Sequence, residues 1–412
     1  MSDKFKFEWV VVEKVERKGP KADVLELPGA APRRAGTSFG EDVALVAAAP
    51  PSEVKPMTVQ EAGEEARAGK IPLIQMPLRL IRPKSKAEGA AGPTHDPPWG
   101  LADIGTGGGE LRGKGVVVAV LDSGIDAGHE AFRHLEGKIA AFNFTGVGPE
   151  TDARDDDEGH GTHCAGTIFG DTIDGIPVGV APGVEKVLIG KVFHNSVGGD
   201  TNSIVRALKW AQFNGADVIS MSLGIDFPGY VGLLMKKYKL EIIQAANIAL
   251  EAYRRNLEMF NKLSESVIGV PGLVDGSLVV GAAGNESDMP NYTIAASLPA
   301  NATEFVSVAA LKRPADGRYQ LAPFSNVGAK LAAPGVGIWS AKPGGGGVAM
   351  DGTSMAAPHV AGAACLWIEK LQDGTGSVSA RKVIDMLKEK ASPLEPGVAE
   401  DAVIWGRARA PQ

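Results

Sequence analysis

The chain predicts an α/β fold: a doubly wound, mostly parallel sheet with helices on both faces, preceded by a small N-terminal α+β region. Three observations carry this. Continuous apolar runs of strand length recur after Trp99. Helical patterns alternate with them. A stretch dense in proline and glycine, from Pro83 to Pro98, sets that part off from a compositionally different beginning. Alternating strands and helices fold as a parallel sheet wrapped on both sides. Residues 1–92 therefore read as a separate region with its linker, and 93–412 as the main domain.

The N-terminal region holds two strand-like runs, Trp9 to Val15 and Val43 to Ala47, and a charged helical patch, Val59 to Ala68. In the main domain, Val116 to Leu121 is apolar at every position, as expected of a parallel strand buried on both faces. Lys186 to Val192, Asp217 to Ser222, Leu278 to Ala283 and Phe305 to Ala310 have the same character. Helical patterns fall at Thr162 to Ile168, Ser203 to Asn214, Tyr238 to Leu263 and Ser354 to Leu371. In such sheets ligands bind beyond the C-terminal ends of the strands, so residues at those ends carry the chemistry.

The bulk numbers exclude several classes. With 412 residues the chain has room for one large domain and something smaller. A net charge of −7 argues against a nucleic-acid partner. No apolar stretch is long enough to span a membrane. Met1 to Trp9 shows no apolar core of a signal peptide, and the only two cysteines, Cys164 and Cys365, rule out a disulfide framework. The expectation is a cytoplasmic or non-classically exported protein.

Four residues stand at element ends in glycine-rich settings. Asp122 follows a buried strand, in Asp122-Ser123-Gly124. His160 lies in Gly159-His160-Gly161-Thr162-His163, where a helix begins. Asn285 ends Ala282-Ala283-Gly284-Asn285, again at a strand terminus. Ser354 lies in Gly352-Thr353-Ser354-Met355-Ala356, ahead of an apolar helix in which Pro358 belongs to the first turn. Taken singly, each has an ordinary reading: a turn aspartate, a packed histidine, a capping serine. Together they are the parts of acyl transfer: an orienting acid, a general base, an amide donor for an oxyanion, and a nucleophile at the positive end of a helix.

These motifs, with Ser222-Leu223-Gly224, resemble the subtilisin-like serine peptidases over roughly Trp99 to Gln412. The resemblance implies that Asp122 orients His160, His160 serves as base and then acid, Ser354 attacks, and Asn285 donates to the oxyanion. It implies that Ser222, Leu223 and Gly224 pair with the substrate backbone, and that Ala282, Ala283 and Gly284 line the primary pocket with Ser297 near its floor. The implied partner is a protein or peptide substrate, and the chemistry requires no cofactor. Two further readings share the scaffold: a transpeptidase or peptide cyclase, and a catalytically silent binding module.

The chain also departs from the family. A structural calcium is common there, but the usual strong site is not matched. Ala131 beside Glu130 takes the place of an expected aspartate, and Ile173 that of an amide, between Asp171 and Asp174. No metal ligand is assigned. Asp155-Asp156-Asp157-Glu158 reads as a solvated loop whose carboxylates raise the pKa of His160. Residues 225–280 contain an extended helical insertion, with Ile242, Ala246, Ala249, Tyr253, Leu257 and Phe260 on one stripe. It is either a longer surface helix or a wall and docking surface beside the cleft. Residues 1–92 read as a propeptide-like, inhibitory region. Within it, Pro77-Leu78-Arg79-Leu80-Ile81-Arg82-Pro83 resembles the short inhibitory extension of intracellular subtilisins, and is expected to lie across the active site of an autoinhibited zymogen.

Overall fold

The computed structural model describes residues 7–12, 53–67, 71–87, 98–106, 110–150, 153–269, 275–313, 319–375, 378–394 and 402–411. The run Val43 to Ala47 lies outside them.

Among the described residues the main sheet has nine strands. Across it they run Ile139–Asn143, Lys186–Lys191, Val117–Asp122, Val218–Met221, Leu278–Ala282, Val306–Lys312, Ala329–Pro334 and Val403–Arg407, all parallel, with Gln320–Leu321 antiparallel at the side. The five predicted runs are all present. Ile139–Asn143, Ala329–Pro334 and Val403–Arg407 were not predicted, because polar residues or alanines interrupt their apolar character.

Both faces are buried, as the unbroken runs require. Val118 and Val120 pack on one side with Val360 and Leu366 of the helix Thr353–Thr375. Ala119 and Leu121 pack on the other with Ile204, Leu208 and Trp210 of the helix Thr201–Phe213. Leu121 is fully buried, so its truncation to alanine costs about 2–5 kcal/mol.

Pro358 corrects the sequence reading. It lies inside the helix Thr353–Thr375 rather than in its first turn. Having no N–H, it leaves the Ser354 carbonyl without its helical donor. Ser222 Oγ at 3.4 Å and Cys164 Sγ at 3.3 Å donate to that carbonyl instead. The helix thus continues, and a defect in it ties three segments together beneath the nucleophile.

The N-terminal region forms a three-stranded antiparallel sheet, with Phe7–Val12 between Glu53–Met57 and Ile71–Ile74. The helix Val59–Arg67 starts at a reciprocal cap, Thr58 Oγ1 accepting from Glu61 N and Glu61 Oε2 from Thr58 N. Met57, Ala62, Ile74 and Met76 share one core with Ala245, Ala249, Ala252 and Phe260 of the insertion, and Asn256 Nδ2 donates to the Ile74 carbonyl at 3.0 Å.

The insertion thus packs against the N-terminal region. It forms two helices, Phe227–Tyr238 and Ile242–Val267, broken at Lys239 in the left-handed region (φ 55°). The predicted stripe is corrected as well: Ile242 is 62% exposed, and the buried face runs through Ala245, Ala249, Ala252, Asn256, Met259, Phe260 and Leu263. Ile242 belongs to a first turn that projects past the core, and small alanines let the helix sit close.

The linker reading also changes. Ser85–Ala87 is a strand paired antiparallel with Gly347–Asp351 of the main domain. The chain crosses the main domain before the break rather than after it.

Candidate active site

Asp122 is the last residue of its strand, and the helix His160–Phe169 begins opposite it. The helix approaches so closely that a Cβ on Gly161 would stand 2.2 Å from the Gly124 carbonyl. Asp156 fixes the helix start: its Oδ2 accepts from Thr162 N at 2.7 Å and Thr162 Oγ1 at 2.6 Å, and its Oδ1 from Gly159 N at 2.8 Å. His160 Nδ1 donates to Asp122 Oδ1 at 2.8 Å, both side chains buried. A carboxylate only accepts, so in the neutral ring the lone pair is on Nε2, aimed away from Asp122.

Burial, the largest single influence, disfavours a charged His160, but the adjacent Asp122 carboxylate and Cys164 together hold the imidazole well above its ordinary 6.5. The acidic loop is not the cause. Asp156 is spent on the helix cap, and Asp157 pairs with Lys191 Nζ at 2.9 Å, which lowers its own pKa although burial opposes this. The solvated-loop reading is thereby corrected: the loop is a clasp.

Asn285 is held by a residue the sequence reading passed over. Thr353 N and Oγ1 both donate to Asn285 Oδ1 at 2.9 Å, and Gly284 N donates to Thr353 Oγ1 at 3.1 Å. That fixes the amide carbonyl and turns Nδ2 into the cleft. Gly284, at φ 119°, makes the turn, where a Cβ would lie 2.2 Å from Asn326 Nδ2. The signal available was the threonine immediately before the serine. Ser297 sits between Gly224 and Ala283, its Oγ donating to the Ala283 carbonyl at 3.3 Å.

The segment from Met76 to Ala87 fills this cleft. Pro77–Leu80 is the middle strand of a three-stranded antiparallel sheet between Gly199–Asp200 and Leu223–Ile225. Ile81 N donates to the Ser222 carbonyl at 3.1 Å. Ser354 Oγ donates to the Ile81 carbonyl at 2.7 Å, and Asn285 Nδ2 to the next carbonyl, Arg82 O, at 3.0 Å. Lys84 N donates to the Asp351 carbonyl at 2.8 Å, and Ser85–Ala87 continues along Gly347–Asp351. Met76, Leu78, Leu80 and Ile81 are all buried. His160 Nε2 has no hydrogen-bond partner among the described residues.

Among the described residues, the one group of three potential metal ligands is Asp122, His160 and Cys164. Asp122 and His160 are bonded to each other, and burial pushes the Cys164 thiol up, away from the thiolate a metal needs. The usual calcium site does not fit either: Asp171 pairs with the Arg112 guanidinium at 2.9 Å, Ile173 is buried, and Ala131 offers no carboxylate. His163 and His359 are structural. Burial lowers them to about 3 and about 4, and they contact the Ile338 and Met355 carbonyls at 3.0 and 2.8 Å.

Fold and site together define a serine endopeptidase. The sequence profile of the subtilase family matches residues 113–406, and the chain belongs to that family. It is 34% identical to subtilisin DY from Bacillus licheniformis over 286 residues, covering 69% of this chain and 86% of that relative. It is 34% identical to subtilisin NAT from Bacillus subtilis subsp. natto over 284 residues, and there spans only 62% of the relative's length. Fervidolysin from Fervidobacterium pennivorans shares the fold at TM-score 0.61 and 22% identity, over 89% of this chain and 56% of its own. No helix among the described residues is long and apolar enough to cross a membrane.

Proposed function

We propose that this endopeptidase is made as an autoinhibited zymogen, with residues 1–92 as its intramolecular inhibitor and residues 76–87 as the strap that fills its cleft. The observation that carries this is the split use of the machinery. Ser354 Oγ addresses the Ile81 carbonyl while Asn285 Nδ2 addresses the Arg82 carbonyl. Hydrolysis needs attack and oxyanion donation on the same carbonyl. Here the nucleophile's one proton is given to the strap, His160 Nε2 receives none, and the peptide bond stays intact.

With the strap gone, His160 Nε2 takes the Ser354 proton as Oγ attacks the substrate carbonyl carbon. Asp122 keeps the imidazole oriented and stabilises its charge. Asn285 Nδ2 and the Ser354 backbone N–H hold the oxyanion. His160 returns the proton to the departing amine, leaving an acyl-enzyme that water hydrolyses by the same route. Ser222, Leu223 and Gly224 take the substrate backbone as an added strand. Ala282, Ala283, Gly284 and Ser297 line the pocket for the residue before the cleaved bond. Nothing in this chemistry requires a cofactor. The partners are a protein or peptide substrate and the chain's own N-terminal region. Two buried free thiols suit a reducing compartment, in keeping with a cytoplasmic location.

Incubating the purified chain and sequencing any new N-terminus tests this. Activity that appears together with a terminus beyond Ala87 supports it. Full activity from the intact chain contradicts it.

A further inference from the structure

The strap also carries a record of what the cleft accepts. Opposite Gly224 in the added-strand register stands Arg79, two residues before Ile81. Its guanidinium reaches two carboxylates from different elements: Nη2 lies 2.9 Å from Glu286 Oε1, and Nη1 lies 3.5 Å from Asp226 Oδ1. Neither carboxylate depends on Arg79 for its place. Glu286 Oε2 accepts from Asn326 Nδ2 at 2.6 Å, and its backbone N donates to Asn326 Oδ1 at 3.0 Å. Asp226 caps the helix Phe227–Tyr238, its Oδ1 accepting from Gly229 N at 3.1 Å. The acids are therefore set before any peptide arrives. By contrast, the ion pair of Arg82 with Glu158 is one-sided, and its arginine side chain is 60% exposed.

We propose that Asp226 and Glu286 form a specificity subsite for a cationic side chain, arginine above all, two positions before the residue whose carbonyl is attacked. The preferred substrate is then a polypeptide with a basic residue there, flanked on either side by aliphatic residues in the places of Leu78 and Leu80, which are buried. Arginine suits the site better than lysine, because one planar fork serves two acceptors. The inference rests on the reading of residues 76–87 as a substrate-like strap.

The test uses the full chain with its strap loosened by Leu78→Glu and Arg79→Ala and its nucleophile removed by Ser354→Ala. Binding of labelled peptides Pro-Leu-Xaa-Leu-Ile is followed by anisotropy. Two partly exposed ion pairs give the arginine peptide about a tenfold lower Kd than the glutamate peptide, with alanine between. About 1 M salt narrows the gap. Asp226→Lys with Glu286→Lys inverts the order. If that variant does not fold, Asp226→Asn with Glu286→Gln keeps the cap and equalises the three peptides.

Equal binding of all three, or an order that survives these substitutions, overturns the subsite. So does failure of every peptide to bind. A parallel measurement separates this from the strap reading: with Ser354 restored, the loosened chain reacts with a fluorophosphonate faster than the wild type. If it does not, the strap reading has failed. If it does and the peptides bind alike, only the subsite has failed.

Discussion

The hydroxyl of Ser354 lies 2.7 Å from the carbonyl oxygen of Ile81 and donates to it. The nucleophile's proton is thereby engaged by the chain's own strap, while His160, the proposed base, keeps a buried Nε2 with no hydrogen-bond partner among the described residues. In the autoinhibited state we propose, silence is a matter of hydrogen-bond assignment rather than of missing parts.

Removing the parts one at a time separates their roles. Ser354→Ala abolishes peptide hydrolysis and fluorophosphonate labelling. Asn285→Ala lowers kcat of the activated enzyme by about 10²–10³ with little change in KM, the magnitude known for this donor in subtilisin itself. Thr353→Val removes the hydroxyl's hydrogen bond to Asn285 Oδ1 but keeps that of the Thr353 backbone N, and gives a smaller loss of the same kind, read in kcat. A rise in KM alone in either variant contradicts the oxyanion assignment.

The labelling rate of Ser354 depends on pH through His160. Burial works against the charged ring, but Asp122, with Cys164 beside it, prevails, so the folded-state pKa stands above 6.5. The ring is a base only when neutral, and the rate therefore rises with pH along a limb centred above 6.5. The same shift stabilises the fold below pH 6.5, a contribution lost as pH rises through the folded-state value. Asp122→Asn moves the limb down. A wild-type limb at or below 6.5 goes against the assignment.

Acid stability reports on two other histidines. His163 and His359 are buried, with pKa values of about 3 and about 4. Their folded-state values lie below the unfolded 6.5, so the stability they preserve is complete above pH 6.5 and lost as pH falls towards 3–4. A tenfold change in proton affinity corresponds to about 1.4 kcal/mol, so the loss amounts to several kcal/mol. Denaturant midpoints measured from pH 7 to pH 4 check this. His359→Gln flattens the slope, and an unchanged slope contradicts it.

Pro358 offers a fourth check. Pro358→Ala supplies an N–H that competes with Ser222 and Cys164 for the Ser354 carbonyl. The expected result is a stable helix with lower activity, and unaltered kcat/KM contradicts a positioning role for this carbonyl.

Much of this was legible in the sequence because it depends on local signals. Val116 to Leu121 is unbroken and apolar, so it reads as a buried parallel strand. Asp122, His160, Asn285 and Ser354 each stand at an element end marked by glycine. What was not legible depends on long-range partners. Thr353 matters through Asn285, 68 residues away in sequence. Asp156 looks solvated until Ser123 and Thr162 close on it at 2.7 and 2.6 Å. Ile242 joined an apolar stripe by periodicity, but nothing in periodicity says that the core stops one turn later. Ser85–Ala87 read as linker because its strand partner lies at Gly347–Asp351, far along the chain.

In the proposed zymogen, residues 76–87 hold Ser354 silent from within the cleft. The most direct test is the rate of fluorophosphonate labelling of the intact chain, wild type against Leu78→Asp with Leu80→Asp. Both leucines are buried, and losing their burial costs the closed state about 1.5–3 kcal/mol each, so labelling of the variant is expected to be at least tenfold faster. Ser354→Ala in the same background gives no labelling. Equal rates for the wild type and the strap variant, both folded, contradict autoinhibition by residues 76–87.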